Sequence, residues 1–187
     1  MIFNKHSELA GRHAFLSASN YHWINYDEDK LVKTFMTQQA AAKGTRLHVL
    51  AHDLIRERVK LPEVTKTMNM YVNDCIGWSM LPEQLLFYTD NAFGTADAIS
   101  FRENILRVSD LKTGETPVGP LQLVAYAALF CLEYRLKPIE IERIELRIYQ
   151  NDECIEYLAD PVEVMLVIDK YISFNKLIEL LKEGAQL

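Results

Sequence analysis

Two short stretches of this chain combine carboxylates with a lysine at a spacing that can do chemistry: Gly94-Thr95-Ala96-Asp97 and Ser109-Asp110-Leu111-Lys112-Thr113-Gly114. Both lie in apolar runs that read as strands. A hairpin with a four-residue loop, Arg102 to Ile105, pairs Phe101 with Leu106 and Ile99 with Val108. The same register sets Asp97 opposite Asp110 and Thr95 opposite Lys112. Opposite residues share a face, as do residues two apart on one strand, so Asp97, Asp110 and Lys112 are expected to project together. A loop with an odd number of residues would break that parity. Two adjacent carboxylates raise each other's pKa unless a cation lies between them. A hard divalent ion such as Mg²⁺ or Mn²⁺ removes the conflict, polarises a phosphoryl oxygen and acidifies a water. Lys112 beside it would orient that water and stabilise the transition state.

A D-x-K tripeptide alone usually marks only the end of a strand. Here three charged groups interrupt apolar strands on one face, which is costly without a purpose. Gln122 and Tyr126 follow, four residues apart on one face of an apolar helix. They contact the reacting groups, or they satisfy local hydrogen bonds in a core helix; the two readings weigh evenly. His48 follows Gly44 by one helical turn and offers an imidazole ligand, although a lone helical histidine is more often structural. His52 completes no zinc-protease motif, because no glutamate sits between the pair in H-E-x-x-H fashion. Lys43, Arg46, Arg56, Arg58 and Lys60 give this segment a basic character that suits either phosphate or solvent.

The elements that must position these groups are legible in outline. Ser17 to Asn20 offers cap chemistry for a short helix carrying Tyr21 and Trp23, and another helix starts near Asp27. Gln38 to Lys60 reads as a long helix with a face of Leu47, Leu50, Ala51, Leu54, Ile55 and Arg58, ended by Pro62. Glu63 to Gly77 forms the next. Strands are expected at Gln84–Thr89, Phe93–Phe101, Ile105–Leu111, Ile139–Gln150 and Cys154–Leu158. A helix over Pro117–Arg135 and a last one from Pro161 toward Lys182 complete the order. The expectation is a single α/β (α+β) domain with a central mixed sheet flanked by helices. Residues 1–82 would be its helical part, 83–160 its sheet core and 161–187 its closing helix.

Bulk properties agree. The chain has 187 residues, 49% hydrophobic and 25% charged, with a net charge of −6. That acidity argues against coating long nucleic acids, yet suits an enzyme that concentrates carboxylates. Cys75, Cys131 and Cys154 are scattered, so reduced thiols are expected rather than disulfides, zinc or an iron–sulphur cluster. With no membrane-length apolar run and no signal-like start, a cytoplasmic protein without membrane association is expected.

Taken in order, G-x-x-x-H on a helix, G-T-A-D and D-L-K-T-G on successive strands, and Q-x-x-x-Y on the next helix resemble the RecB-like branch of the PD-(D/E)XK nucleases. Short phage and prophage members look most similar, and the likeness covers Ser17 to Leu158. It implies a restriction-endonuclease-like core that cuts DNA with Mg²⁺ or Mn²⁺, commonly as an exonuclease, in the host cytoplasm if phage-encoded. It makes His48, Asp97 and Asp110 metal ligands, Lys112 the catalytic lysine, and Gln122 and Tyr126 the helix motif. Glu83 is either an auxiliary acid or a surface residue, and Arg46 an auxiliary phosphate contact. Departures are the missing four-cysteine cluster, the absence of helicase motifs, and aspartate rather than glutamate at position 110. Any helicase, recombinase or single-strand-binding partner would be a separate protein. Two alternatives stand beside this one: a catalytically silent scaffold that binds DNA or protein, and an RNA-directed hydrolase, for which no stacking motif is evident.

Overall fold

The computed structural model describes residues 14–184. By their internal contacts the described residues divide between Lys43 and Gly44 into two compact units. In the first, a 3-10 helix over Ala18–Asn25 is followed by the start of α1 (Glu28–Arg56). Asp27 caps α1: its side chain accepts the Lys30 N–H at 2.8 Å and its carbonyl accepts that of Leu31. The Phe15 and Phe35 rings meet edge to face at 5.1 Å.

The second unit holds the rest of α1, α2 (Thr67–Gly77), β1 (Leu81–Thr89), β2 (Ala92–Arg102), β3 (Ile105–Leu111), α3 (Leu121–Tyr134), β4 (Arg143–Gln150), β5 (Glu153–Leu158) and α4 (Pro161–Gly184). One sheet runs β1-β2-β3-β4-β5, parallel between β3 and β4 and antiparallel elsewhere. The parallel step follows from α3, which carries the chain back across the sheet before β4 begins. This is the α+β fold with a mixed sheet that the alternation of periods predicts.

Two apolar layers sandwich the sheet. One gathers Leu86, Ala96, Ile99, Leu106 and Val108 with Leu123, Val124, Ala127 and Ala128 of α3 and Val164 and Ile168 of α4. Each large aliphatic side chain fully buried there contributes about 1.5–3 kcal/mol. The other gathers Ala51 and Ile55 of α1, Tyr71, Val72 and Cys75 of α2, and Ala98, Leu111 and Tyr149 of the sheet.

Several element ends differ from the sequence reading for local reasons. The helices expected near Asp27 and over Gln38–Lys60 are one, and it stops at Arg56 rather than at Pro62. Arg58 takes φ 56°, and the N–H groups of Arg58 and Val59 bond back to the carbonyls of Ile55 and Leu54. That closes the helix with a left-handed residue before the proline is reached. Ser79 and Arg135 close α2 and α3 in the same way. Leu50 is exposed, so the buried stripe of α1 is narrower than expected and runs through Gly44, Ala51 and Ile55. Pro120 starts α3 later than Pro117, β1 begins at Leu81, and a 3-10 turn over Pro138–Glu140 delays β4 to Arg143.

The β2–β3 hairpin keeps the expected register, with Phe101 opposite Leu106 and Ile99 opposite Val108. Its loop is shorter, because Arg102 and Ile105 themselves pair and only Glu103 and Asn104 turn, both at positive φ. Two residues or four leave the parity unchanged.

Candidate metal centre

The centre forms where the sheet forks. Pairing between β2 and β3 runs from Arg102↔Ile105 to Ala98↔Ser109 and stops there. Beyond that point β2 stays with β1, as far as Thr89↔Ala92, and β3 stays with β4, as far as Leu111↔Tyr149. Asp97 stands in the crotch, and its Oδ2 accepts the Leu111 N–H at 3.0 Å. The expected Thr95–Lys112 pair therefore does not form. Instead the Lys112 N–H donates to the Tyr149 carbonyl at 2.9 Å.

The β1–β2 ladder carries a matching irregularity. Pro82↔Ala98 and Gln84↔Ala96 are paired, but Glu83 and Asp97, which would face each other between them, are not. Glu83 has φ 50°, a strained value for a glutamate within a strand. The alternation of faces slips here as well. Ala92 and Ala96 belong to the α3 layer, Ala98 to the α1/α2 layer, and Ile99 to the α3 layer again. Glu83, Asp97 and Asp110 thus occupy one row across three strands, at the point where two of the strands lose regular pairing.

Each remaining side chain reaches the row from a different element. His48 projects from α1 and sets Nδ1 3.4 Å from Asp97 Oδ2. One ligand atom from each of His48, Glu83 and Asp97 lies within 4.8 Å of the others. Octahedral Mg²⁺ with bonds of about 2.1 Å needs ligands about 3–4.2 Å apart, so a small side-chain adjustment brings these three to coordination distance. Asp110 is not part of that triad. It is 2% exposed, and Lys112 Nζ straddles its carboxylate at 3.0 Å from Oδ1 and 2.9 Å from Oδ2. The hydrogen bond goes to Oδ1; the buried Oδ2 accepts none among the described residues. Lys112 also donates to Gln122 Oε1 at 2.9 Å, and Gln122 Nε2 lies 3.5 Å from the Tyr126 hydroxyl. The D-x-K and Q-x-x-x-Y segments are thereby joined through the lysine.

Burial pushes the Asp97 carboxyl above its ordinary range, against the lowering effect of the Leu111 N–H and His48. Asp110 is raised too, first by burial and next by the charge of Asp97. Three carboxylates face one ammonium, an excess of negative charge that a divalent cation would complement. The donors are hard oxygens and one imidazole, a set suited to Mg²⁺ or Mn²⁺. The Oδ2 of Asp110, which faces Lys112 Nζ but accepts no hydrogen bond among the described residues, is a further acceptor such an ion could use.

Two glycines explain how the helices come close enough. A Cβ on Gly44 would sit 2.6 Å from Thr113 Oγ1, so the absence of a side chain lets α1 approach the end of β3. His48, one turn later, then reaches Asp97. A Cβ on Gly94 would sit 3.1 Å from Tyr126 Cε1, so the glycine of G-T-A-D makes room for the tyrosine of Q-x-x-x-Y.

Arg46 is exposed. It lies two residues from His48, hence about 200° round the helix, on the opposite side from the acids. Glu83, which the sequence fits equally to site or surface, is exposed and yet belongs to the cluster. Tyr71 joins this region from α2. It is buried beneath the acids, and its hydroxyl pKa is driven well up by burial, then by Cys75, Asp97, Asp110 and Glu83. No sequence signal marks it, since it reads as one more apolar position of α2. The three thiols are free, and burial raises all of them, Cys131 to about 12. Among the described residues no helix is long and apolar enough to cross a membrane. No family model, curated protein or solved structure matches this chain.

Proposed function

We propose that this protein is a divalent-metal-dependent nuclease that hydrolyses DNA phosphodiesters, similar in its machinery to the RecB-like PD-(D/E)XK enzymes. The observation that carries the reading is the fork. It gathers His48, Glu83 and Asp97 into one cluster, with Asp110 next to it in the row and Lys112 held by Asp110 and Gln122. His48, Glu83, Asp97 and Asp110 would hold Mg²⁺ or Mn²⁺. Such an ion, when bound, supplies Lewis acidity at the phosphoryl group and acidifies water.

The chain's own groups supply the rest. Lys112, fixed between Asp110 Oδ1 and Gln122 Oε1, keeps its ammonium aimed at the acids. There it orients the attacking water and stabilises charge growing on the phosphoryl oxygens. Gln122 fixes Lys112 in place, and Tyr126 extends the polar line toward the substrate backbone. An exonucleolytic mode in recombination, repair or phage DNA metabolism follows from the resemblance.

The test is incubation of purified protein with end-labelled single- and double-stranded DNA in Mn²⁺, Mg²⁺ or EDTA, beside an Asp110→Ala control. Metal-dependent release of nucleotides or a ladder, lost in the control, is the expected result. No cleavage in either metal would overturn the assignment and favour a silent scaffold.

A further inference from the structure

The fork leaves an apolar patch beside the acids that the hydrolytic machinery does not use. Within β2, Ala92, Gly94 and Ala96 face α3, so Phe93, Thr95 and Asp97 lie on the opposite face. Across the ladder Phe87 pairs with Phe93 and Leu85 with Thr95. Phe93 is 58% exposed, Phe87 43% and Leu85 49%. The two phenyl rings are stacked, 6.4 Å between centroids and 27° between planes. β1 is an edge strand of the sheet, and among the described residues no strand pairs with its outer side. Four residues of extended strand separate Phe93 from Asp97, about 13 Å at ~3.3 Å per residue.

Exposed aromatic rings on the face of a sheet, in line with a phosphate-handling cluster, have the geometry of a stacking platform for unpaired bases. We infer that Phe87 and Phe93 stack the bases of single-stranded DNA whose backbone runs to the acidic fork; this rests on the nuclease reading above. The aromatic pair is continuous with the fork, because the strands that carry Glu83 and Asp97 also carry Phe87 and Phe93. Paired bases hide their faces in the duplex, so the platform favours single strands and frayed ends. Leu85 and Thr95 fill the stretch between the rings and the acids with small, uncharged surface along which a strand can lie.

The experiment measures binding apart from cleavage. Fluorescence anisotropy of a labelled oligothymidylate is followed in the Lys112→Ala background, with Phe87→Ala, Phe93→Ala, the double variant and Phe93→Trp. Both rings are exposed, so truncation leaves the core intact. Each alanine is expected to weaken binding about tenfold, and Phe93→Trp to restore it. Blunt duplex of equal length should bind weakly and lose little in the variants. Unchanged oligothymidylate affinity in the double variant, or no binding by the parent protein, overturns the inference. An equal loss on duplex does so as well. So does a change of oligomeric state in the alanine variants without loss of DNA binding, which would assign the patch to a copy interface. Mn²⁺ binding by calorimetry is measured in parallel on the wild type. If Mn²⁺ fails to bind while the phenylalanine-dependent DNA binding persists, the nuclease reading falls and the platform stands.

Discussion

β3 and its neighbours carry two groups of partly buried charge, and they are built on opposite plans. On the α2 side, Arg107 Nε donates to Glu145 at 2.8 Å, and Arg143 reaches the other oxygen of the same carboxylate at 2.8 Å. Arg147 lies 3.2 Å from Glu156 and 3.9 Å from Asp74, with its guanidinium 4.0 Å from the centre of the Trp78 ring. Three arginines meet three carboxylates, and charge is matched within the group. At the fork, Glu83, Asp97 and Asp110 meet, among the described residues, only Lys112 and an imidazole, and the two aspartates have raised pKa values. A matched network serves folding by itself. An unmatched one is a cost to the free protein that a bound cation would offset, and perturbed carboxylates of this kind concentrate at functional sites.

The largest effect is expected from Lys112→Ala. Metal-dependent cleavage should fall by about 10²–10³-fold, the loss typical for removal of one transition-state donor. The circular dichroism spectrum should stay that of a folded protein, while the melting temperature falls because the buried Asp110 loses its ammonium. Retained activity would return Lys112 to the role of a strand-end residue.

Glu145→Ala probes the other side. It leaves Arg107, itself largely buried, without its partner, and should cost about 2–3 kcal/mol in urea denaturation, below the ~3–5 of a fully buried pair because Arg143 is half exposed. Mn²⁺ affinity should not move. If the two properties change together, the groups are not independent.

The unmatched carboxylates also make stability depend on pH. Asp97 has a folded pKa above its unfolded value, so the folded state binds its proton more tightly. Stability is therefore favoured below the unfolded pKa, about 3.9, and declines as pH rises through the raised folded value. Metal-free Asp97→Asn should lose that decline and melt higher than wild type at neutral pH, since the amide oxygen still accepts the Leu111 N–H. Added Mn²⁺ should reverse the order by stabilising wild type alone. A variant less stable than metal-free wild type at pH 7 would refute the excess-charge account.

The smallest effect is expected from Gly44→Ala. The clash partner is a threonine hydroxyl that can rotate, and alanine gains about 1 kcal/mol of helix propensity over glycine. Stability should hardly change, while Mn²⁺ affinity falls a few-fold as His48 moves off Asp97. Thr113→Ala in the same chain should restore it, because the next nearest atom is Cβ at 3.7 Å.

Much of this was legible in the sequence. The β2–β3 register followed from the apolar alternation around Ile99, Phe101, Leu106 and Val108, since a hairpin is a local structure with few alternatives. The element order followed from changes of period. Element ends were less legible, because Arg58, Ser79 and Arg135 stop their helices in a left-handed conformation that nothing about those residue types announces. Glu83 stayed ambiguous for a similar reason: strict alternation cannot reveal a strand position that breaks alternation.

Residue types and local patterning thus account for which chemical groups are present, their spacing along each element, and the hairpin register that brings Asp97 and Asp110 to the same end of β2 and β3. Local sterics and hydrophobic patterning are enough for that. Only the tertiary structure decided that β2 and β3 part at Asp97, that Glu83 joins the row, and that Gly44 and Gly94 admit Thr113 and Tyr126. These depend on contacts between segments far apart in the chain, whose distances are set by how helices and strands pack together and not by the spacing within any one of them.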